Sequence, residues 1–206
     1  GNDGKIVALP EENTEVTFTG TFKLGTVEET HAYKVIINKS GTVIEEPIYQ
    51  TGFESSDGFT ASTKPSYNNT EVKFSGPAGK QWGTYYGTPS TTSPIGDAQS
   101  MQMRWYAASS SDHGYTYTNF DLANINKVVF TAKNTNGINV IVSISKDGGT
   151  TWENAETFVL STTATEYTYN VAEEFRSENM RIKFTLTYET APSETSRLYI
   201  DDVKVF

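Results

Sequence analysis

Along most of the chain, apolar and polar residues alternate with a period of two, which is typical of β-strands that bury one face. In 15–24, for example, Val16 and Phe18 alternate with Thr17 and Thr19. The predicted strands are 15–24, 31–38, 42–49, 72–75, 100–106, 127–133, 139–146, 156–160, 166–170, 180–188 and 197–206. No window carries the sustained apolar stripe of a helix, and 171–180 is predicted to be a loop with one helical turn. The fold class is therefore all-β.

The spacing of these strands predicts a main block over 51–206 preceded by extra strands in 1–50. Residues 39–41 are typical of a hairpin turn, and Pro47 favours an edge or exit position for the strand that contains it. The first fifty residues are either a small separate unit or an extension of the main sandwich. Segments 76–99 and 107–126 are rich in Gly, Ser, Thr and aromatic residues, and we expect long loops there. Eight or more strands with loops of mixed length favour an antiparallel β-sandwich of the jelly-roll type.

The amino-acid composition disfavours several classes of binding partner and site. The 206 residues contain 25 acidic and 16 basic side chains, giving a net charge of −9, so nucleic-acid binding is disfavoured. Cysteine is absent, which excludes disulfides and thiolate metal sites. No apolar run is long enough for a transmembrane segment. The Thr-, Ser-, Asn- and Tyr-rich composition favours a secreted or outer cell-surface protein whose leader has been removed before Gly1.

A series of short motifs resembles the galactose-binding-like jelly roll of bacterial surface proteins, over about 51–206. In order, they are GFE at 52–54, PIG at 94–96, SMQMR at 100–104, FDL at 120–122, KVVF at 127–130, KDGGTTW at 146–152 and LYIDDVKV at 198–205. The block is also similar to the MAM-type domain, although the cysteines of that family are missing. The resemblance implies a non-catalytic accessory module, often carbohydrate-binding and often holding a structural calcium ion.

One hairpin fits a pattern known as the Asp-box. Residues 145–152 match S-x-D-x-G-x-T-W at every defined position. Asp147 is expected to accept backbone N–H groups in the turn, the glycines to allow positive φ, and Trp152 to cover the hairpin. Sialidase propellers repeat this box, whereas this chain has it once, so the structural interpretation is favoured.

Carboxylates near the two ends of the main block are candidate calcium ligands. Asp201 and Asp202 are adjacent in the last strand, so one of them is directed towards the core and needs donors or a cation. The resemblance implies that this carboxylate joins Glu54 around Ca²⁺, with Asp57 as an additional candidate. Calcium needs six to eight oxygen ligands, so loop carbonyls would contribute. The alternative is an Asp that accepts backbone N–H groups without any metal.

Aromatic residues in the two predicted loops are candidate ligand-binding residues, because sugar C–H faces stack on aromatic rings. These residues are Trp82, Tyr85, Tyr86, Tyr115 and Tyr117. Gln102 and Arg104 alternate with Met101, Met103 and Trp105, so they are expected on the outer face of their strand, as further sugar contacts. The alternative is that the loop aromatics pack over the ends of the sandwich.

The sequence leaves three functions to compare. The first is a surface module that binds a glycan, and the second is a structural or adhesion module that contacts another surface protein. Burial of Trp82 and Tyr86 is the outcome expected of the second. The third is a small glycoside hydrolase or lyase, which needs two acids facing one cleft. The acid pairs Glu45/Glu46 and Glu173/Glu174 are adjacent and point apart on a strand, and His31 and His113 lie far apart, so catalysis is disfavoured.

Overall fold

A computed structural model of the chain describes residues 13–37, 43–61, 66–106 and 113–206. The chain divides into two compact units, Gly1–Pro47 and Ile48–Phe206. In the first unit, β1 (Thr14–Leu24) and β2 (Val27–Ile37) form an antiparallel hairpin, and β3 (Val43–Ile44) pairs with β2. The hairpin turns at Gly25, whose φ of 63° lies in the left-handed region that favours glycine.

The second unit contains two antiparallel sheets. The first sheet has, in spatial order, β13 (Thr165–Asn170), β10 (Lys127–Asn134), β15 (Ser196–Val205), β8 (Ser100–Trp105) and β7 (Gly87–Ser90), and β4 (Tyr49–Thr51) also pairs with β15. The second sheet has β12 (Glu153–Phe158), β11 (Asn139–Ser145), β14 (Arg181–Thr187), β9 (Tyr115–Thr118), β6 (Gln81–Tyr85) and β5 (Val72–Ser75).

The core lies between these two sheets. Alternate residues of β10, β8 and β15 in one sheet and of β11 and β14 in the other are fully buried, as the period-2 pattern requires. Phe130 of β10 meets Phe184 of β14 with ring centroids 5.0 Å apart, which joins the two sheets across the middle of the core. The second unit is therefore a two-layer antiparallel β-sandwich, and the predicted all-β sandwich class is confirmed.

Helical structure in the described residues is limited to three single turns of 3-10 helix, at Ser55–Asp57, Pro77–Gly79 and Glu173–Phe175. The last of these confirms the helical turn predicted within 171–180. Within the same residues, no helix is both long enough and apolar enough to cross a membrane.

The two predicted long loops are the main error of the sequence analysis. Segment 76–99 contains β6 and β7, and segment 107–126 contains β9. β6 and β9 do not stand out in the sequence because several of their inward positions carry threonine: Thr84, Thr116 and Thr118 are all buried. Their hydroxyls bond to nearby backbone groups; Thr84 Oγ1, for example, donates to the Gly87 carbonyl at 3.0 Å. The predicted turn at 39–41 lies outside the described residues.

Candidate functional site

An acidic pocket lies beside β15, where the segment after β4 and the loop after β7 meet it. The cavity measures about 270 Å³. Its lining comprises Gln50, Thr51, Gly52, Glu54, Ser56, Asp57, Asp97, Asp202, Val203 and Lys204. Asp201 adjoins it, since a Cβ on Gly52 would lie 3.5 Å from Asp201 Oδ1 and 3.6 Å from Glu54 Cγ. The fold thus brings together the four acids considered as calcium ligands.

Asp201 is the buried carboxylate of this pocket, with 1 % of its surface exposed. Its Oδ1 accepts a hydrogen bond from the Asp202 backbone N–H at 2.9 Å, but its Oδ2 has no hydrogen-bond partner among the described residues. Burial raises the pKa of Asp201 to about 8, and repulsion from Asp202, Glu54 and Asp97 adds to the rise. A buried oxygen left without a partner is costly, so this position favours a cation.

The backbone around the pocket is held in an unusual conformation. Phe53 and Asp202 have φ values of 57° and 48°, in the left-handed region that non-glycine residues rarely adopt. Asp57 stabilises this turn, because its Oδ2 accepts hydrogen bonds from Thr51 Oγ1 at 2.8 Å and from the Gly52 N–H at 2.9 Å. The turn places Glu54 beside β15, where Glu54 Oε1 accepts the Gln99 N–H at 2.7 Å.

Oxygen atoms from three segments suit a hard cation such as Ca²⁺. Among the described residues, no three His, Asp or Glu side chains converge closely enough to hold a metal ion by themselves. An ion here would therefore need backbone carbonyls or water in addition to carboxylates. Close backbone approach is available, since a Cβ on Gly96 would lie 3.3 Å from the unpartnered Asp201 Oδ2. The residues present fit calcium on this ground.

The aromatic candidates do not all face solvent. Trp82 is completely buried: its ring packs edge-on against Phe53 at 5.0 Å, and its Nε1 donates to the Tyr49 hydroxyl at 2.8 Å. Tyr86 is 8 % exposed. Trp82 therefore belongs to the core, and the expectation that it contacts a ligand is wrong because its ring presents no surface. Burial of these two residues is the outcome expected of a structural module.

The other aromatic candidates lie on the outer face of the second sheet and form a row with Trp152. Tyr85 stacks on Tyr115 with ring centroids 5.4 Å apart, Tyr115 lies 6.2 Å from Tyr117, and Tyr117 meets Trp152 edge-on at 5.8 Å. All four side chains are half-buried. We call these four residues the aromatic row. They arise from β6, β9 and the hairpin after β11, so three segments build one surface.

Charged groups surround one end of the aromatic row and line a shallow cavity of about 190 Å³. Glu71 accepts hydrogen bonds from the Tyr117 hydroxyl at 2.8 Å and the Tyr115 hydroxyl at 3.4 Å. Burial, together with Glu71, raises the pKa of both tyrosines, so each remains a neutral donor. Lys183 Nζ lies 4.4 Å from the Trp152 ring, and burial lowers its pKa. The cavity thus combines flat rings with a carboxylate and a cation.

Gly83 explains how Tyr117 can lie flat on the sheet. Gly83 pairs with Tyr117 across β6 and β9, and a Cβ at Gly83 would come within 2.3 Å of the tyrosine ring. Real Cβ atoms do not approach so closely, so any side chain at 83 would push the ring away. Glycine in a strand interior often marks such a close approach. The missing side chain therefore sets the position of the central ring in the row.

The hairpin after β11 positions the last ring of the row. Asp147 accepts hydrogen bonds from the Thr151 N–H at 2.9 Å and the Thr151 hydroxyl at 2.7 Å. Ser145 Oγ donates to Asp147 Oδ1 and accepts the Gly149 N–H, both at 2.8 Å. These bonds lower the pKa of Asp147 to about 2. The turn is thus held by its own side chains, and it presents Trp152 beside Tyr117.

Gln102 and Arg104 lie on the outer face of the first sheet, away from the aromatic row. Met101 and Met103 are fully buried, so the predicted alternation of β8 is confirmed. Gln102 is itself 1 % exposed, because it accepts the Tyr67 hydroxyl at 3.1 Å and donates to the Thr92 carbonyl. Gln102 is therefore a structural contact, whereas Arg104 remains half-buried.

Sequence reasoning missed Glu71, Trp152, Arg181 and Lys183 as neighbours of the row. Lys183 and Arg181 occupy outward positions of β14, opposite buried Ile182 and Phe184, so their face could be deduced. The pairing of β14 with β9 could not be deduced from the sequence, because Lys183 and its cross-strand partner Tyr117 lie far apart in the chain. Trp152 was treated only as cover for its hairpin.

The chain was compared with known protein families, curated proteins and solved structures. No family model matches the chain, and no curated protein matches it. Among solved structures, the K2 cleaved adhesin domain of Lys-gingipain is similar with a TM-score of 0.52 and 13 % identity, covering 77 % of this chain and 97 % of that domain. A family 29 carbohydrate-binding module complexed with mannohexaose has a TM-score of 0.45 and 18 % identity, covering 68 % and 87 %. At 13 % identity, the likeness to the adhesin domain shows a shared fold alone.

Proposed function

We propose that the chain is a non-catalytic carbohydrate-binding module and that the aromatic row is its binding face. The observation that carries the proposal is the arrangement of four half-buried rings, from Tyr85 to Trp152, along one outer sheet face. Monomeric domains normally cover such rings or use them. The flat C–H faces of a linear neutral oligosaccharide would stack on the rings, with its hydroxyls bonding to Glu71 and Lys183.

Replacing Tyr117 by Ala is expected to weaken binding of a neutral oligosaccharide roughly tenfold or more, equivalent to about 1.4 kcal/mol. The reason is that Tyr117 contacts both Tyr115 and Trp152, at the centre of the row. Isothermal titration calorimetry with mannohexaose, cellohexaose and xylohexaose measures the effect. The matched control is Tyr33→Ala, which removes a 59 % exposed tyrosine of the first unit. Absence of binding to all three sugars, or equal affinity of the Tyr117 variant, would refute the proposal.

A structural calcium ion in the acidic pocket is a second part of this proposal. Asp201 would contribute a carboxylate oxygen, which its unpartnered Oδ2 supports, and Glu54 or Asp202 would contribute a second. Backbone carbonyls and water would complete the ligands, because no three acidic side chains of the described residues converge on one point. Bound calcium would neutralise the buried carboxylate and join β15 to the segment after β4. The acidic pocket beside β15 shares no lining residue with the cavity at the aromatic row, so the ion would stabilise the fold rather than touch the sugar.

A structural or adhesion role is the second candidate, favoured by the burial of Trp82 and Tyr86. In that case the aromatic row would contact another surface protein. Either role suits the secreted or outer-surface location that the composition favours. The two are distinguished by the sugar titration above, because only the first requires the row to bind an isolated oligosaccharide.

A further inference from the structure

The outer face of the first sheet carries two arginines in directly opposed positions. Arg104 on β8 pairs with Arg197 on β15, next to the buried pair Met103 and Leu198. Like charges directly opposite each other destabilise a sheet unless another group compensates them. In the described part of the chain, no carboxylate forms an ion pair with either guanidinium. We call Arg104 and Arg197 the arginine pair.

Tyrosine rings lie within cation–π distance of the two guanidinium groups. Tyr67 lies 4.7 Å from Arg104 Cζ and 5.1 Å from Arg197 Cζ, and Tyr106 lies 4.7 Å from Arg104 Cζ. A hydrogen bond from the Tyr67 hydroxyl to Gln102 fixes the shared ring. A cation–π contact does not use the hydrogen-bond acceptors that a guanidinium needs, so a planar acceptor can still bond to its N–H groups. The arginine pair is therefore oriented but lacks an acidic partner.

One hydrogen-bond donor of the arginine pair has no acceptor among the described residues. Arg104 Nε is buried and has no hydrogen-bond partner among the described residues. A buried charged donor without an acceptor is costly, and a carboxylate bonded to the accessible part of the half-buried Arg104 guanidinium would offset part of that cost. Lys133 adds a third positive charge on the next strand, since it pairs with Tyr199 and its Nζ lies 4.8 Å from that ring. In a chain of net charge −9, this local excess of positive charge favours an anionic ligand.

We propose that the arginine pair binds the carboxylate of a uronic acid residue in an acidic glycan. The planar carboxylate matches the donor edge of a guanidinium, and Tyr106, 41 % exposed, offers a ring beside it for the sugar's C–H face. An acidic peptide would also bond to the arginines through its carboxylates, but it has no sugar C–H face to stack on the Tyr106 ring. This site is on the opposite sheet from the aromatic row and is independent of it, so either can fail without the other.

The test is titration of the full chain with trigalacturonate, compared with uncharged galactotriose. Trigalacturonate is expected to bind in low salt, more weakly as ionic strength rises, and galactotriose at this site not at all. Arg197→Gln is expected to reduce trigalacturonate affinity at least tenfold. Arg197→Lys, which keeps the charge but loses the planar fork, should also reduce it, and a thermal melt in which both variants keep the wild-type Tm excludes a folding defect. Lys73→Gln, which removes one charge from an exposed position on the opposite sheet, should leave it unchanged.

Each other outcome overturns the proposal. Undetectable binding of trigalacturonate, or equal affinity in the arginine variants and wild type, means that the arginine pair holds no uronate. Loss of binding in Tyr117→Ala with retention in Arg197→Gln would place the uronate on the aromatic row instead. Equally tight binding of triglutamate would identify a general site for acidic peptides rather than a glycan site.

Discussion

Replacement of Trp82 by Ala is expected to lower the free energy of unfolding by about 3–5 kcal/mol, the usual range for a large aromatic deleted from a core. Trp82 has no exposed surface, and its ring contacts Phe53 and stacks on Phe184. The variant would also leave the Tyr49 hydroxyl without its indole donor. For a domain of this size, the loss corresponds to a fall in Tm of roughly 6–20 °C, measured by calorimetry or circular dichroism.

Trp152→Ala is the matched control, because it removes the same side chain from the outer face. Trp152 is half-buried and packs on Tyr117 and Lys183, so its loss should change Tm little and sugar affinity strongly. Trp82→Phe keeps an aromatic ring but loses the N–H, so its Tm should fall less than that of Trp82→Ala. The opposite pattern, in which Trp82→Ala keeps Tm and loses sugar binding, would show that the assignment of Trp82 to the core is wrong.

Calcium is expected to raise Tm by roughly 5–10 °C when its concentration is about a hundred times the dissociation constant. Ligand at that excess stabilises the native state by about 2.7 kcal/mol, and each kcal/mol shifts Tm by about 2–4 °C in a domain of this size. Binding would supply the partner that Asp201 Oδ2 lacks. The measurement is a thermal melt in calcium against one in chelator, with magnesium as the comparison ion.

Asp201→Asn tests whether Asp201 is the residue through which calcium raises Tm. Asn has the same shape without the charge, so Tm in chelator should be maintained and the calcium response should disappear. Glu166→Gln, an exposed acid on β13, is the control and should keep the full response. A wild-type Tm that is equal in calcium and chelator, or a full response in the Asp201 variant, would rule out the proposed ion.

Much of the sandwich could be predicted because its strands bury every second residue. In β10 and β14 the inward residues are apolar except Asn134, as with Phe130 and Phe184, and the period of two is visible in the sequence. In β9 the pattern is inverted: Thr116 and Thr118 face the core, while Tyr115 and Tyr117 face outward. Hydrophobicity alone therefore placed this strand in a loop.

Of the two candidate sites, the acidic pocket could be predicted in part from the sequence and the aromatic row could not. The acids Glu54 and Asp201 were connected by a resemblance of motif order, and the fold brings them to one pocket. The aromatic row could not be assembled, because it depends on pairing between distant strands and on the absence of a side chain at Gly83. Trp82 was misplaced for the same reason: a tryptophan in a Gly- and Tyr-rich segment resembles a loop residue until its strand is known.

Sugar binding on the aromatic row can be followed through the three tryptophan indole N–H signals in an NMR titration with a neutral hexasaccharide. Trp82 and Trp105 are buried in the core, and Trp152 is the one tryptophan on the row. If the aromatic row is the binding face, the Trp152 signal shifts with saturating sugar while the Trp82 and Trp105 signals stay in place. Movement of either buried indole with Trp152 unchanged, or no movement of any of the three, would contradict it.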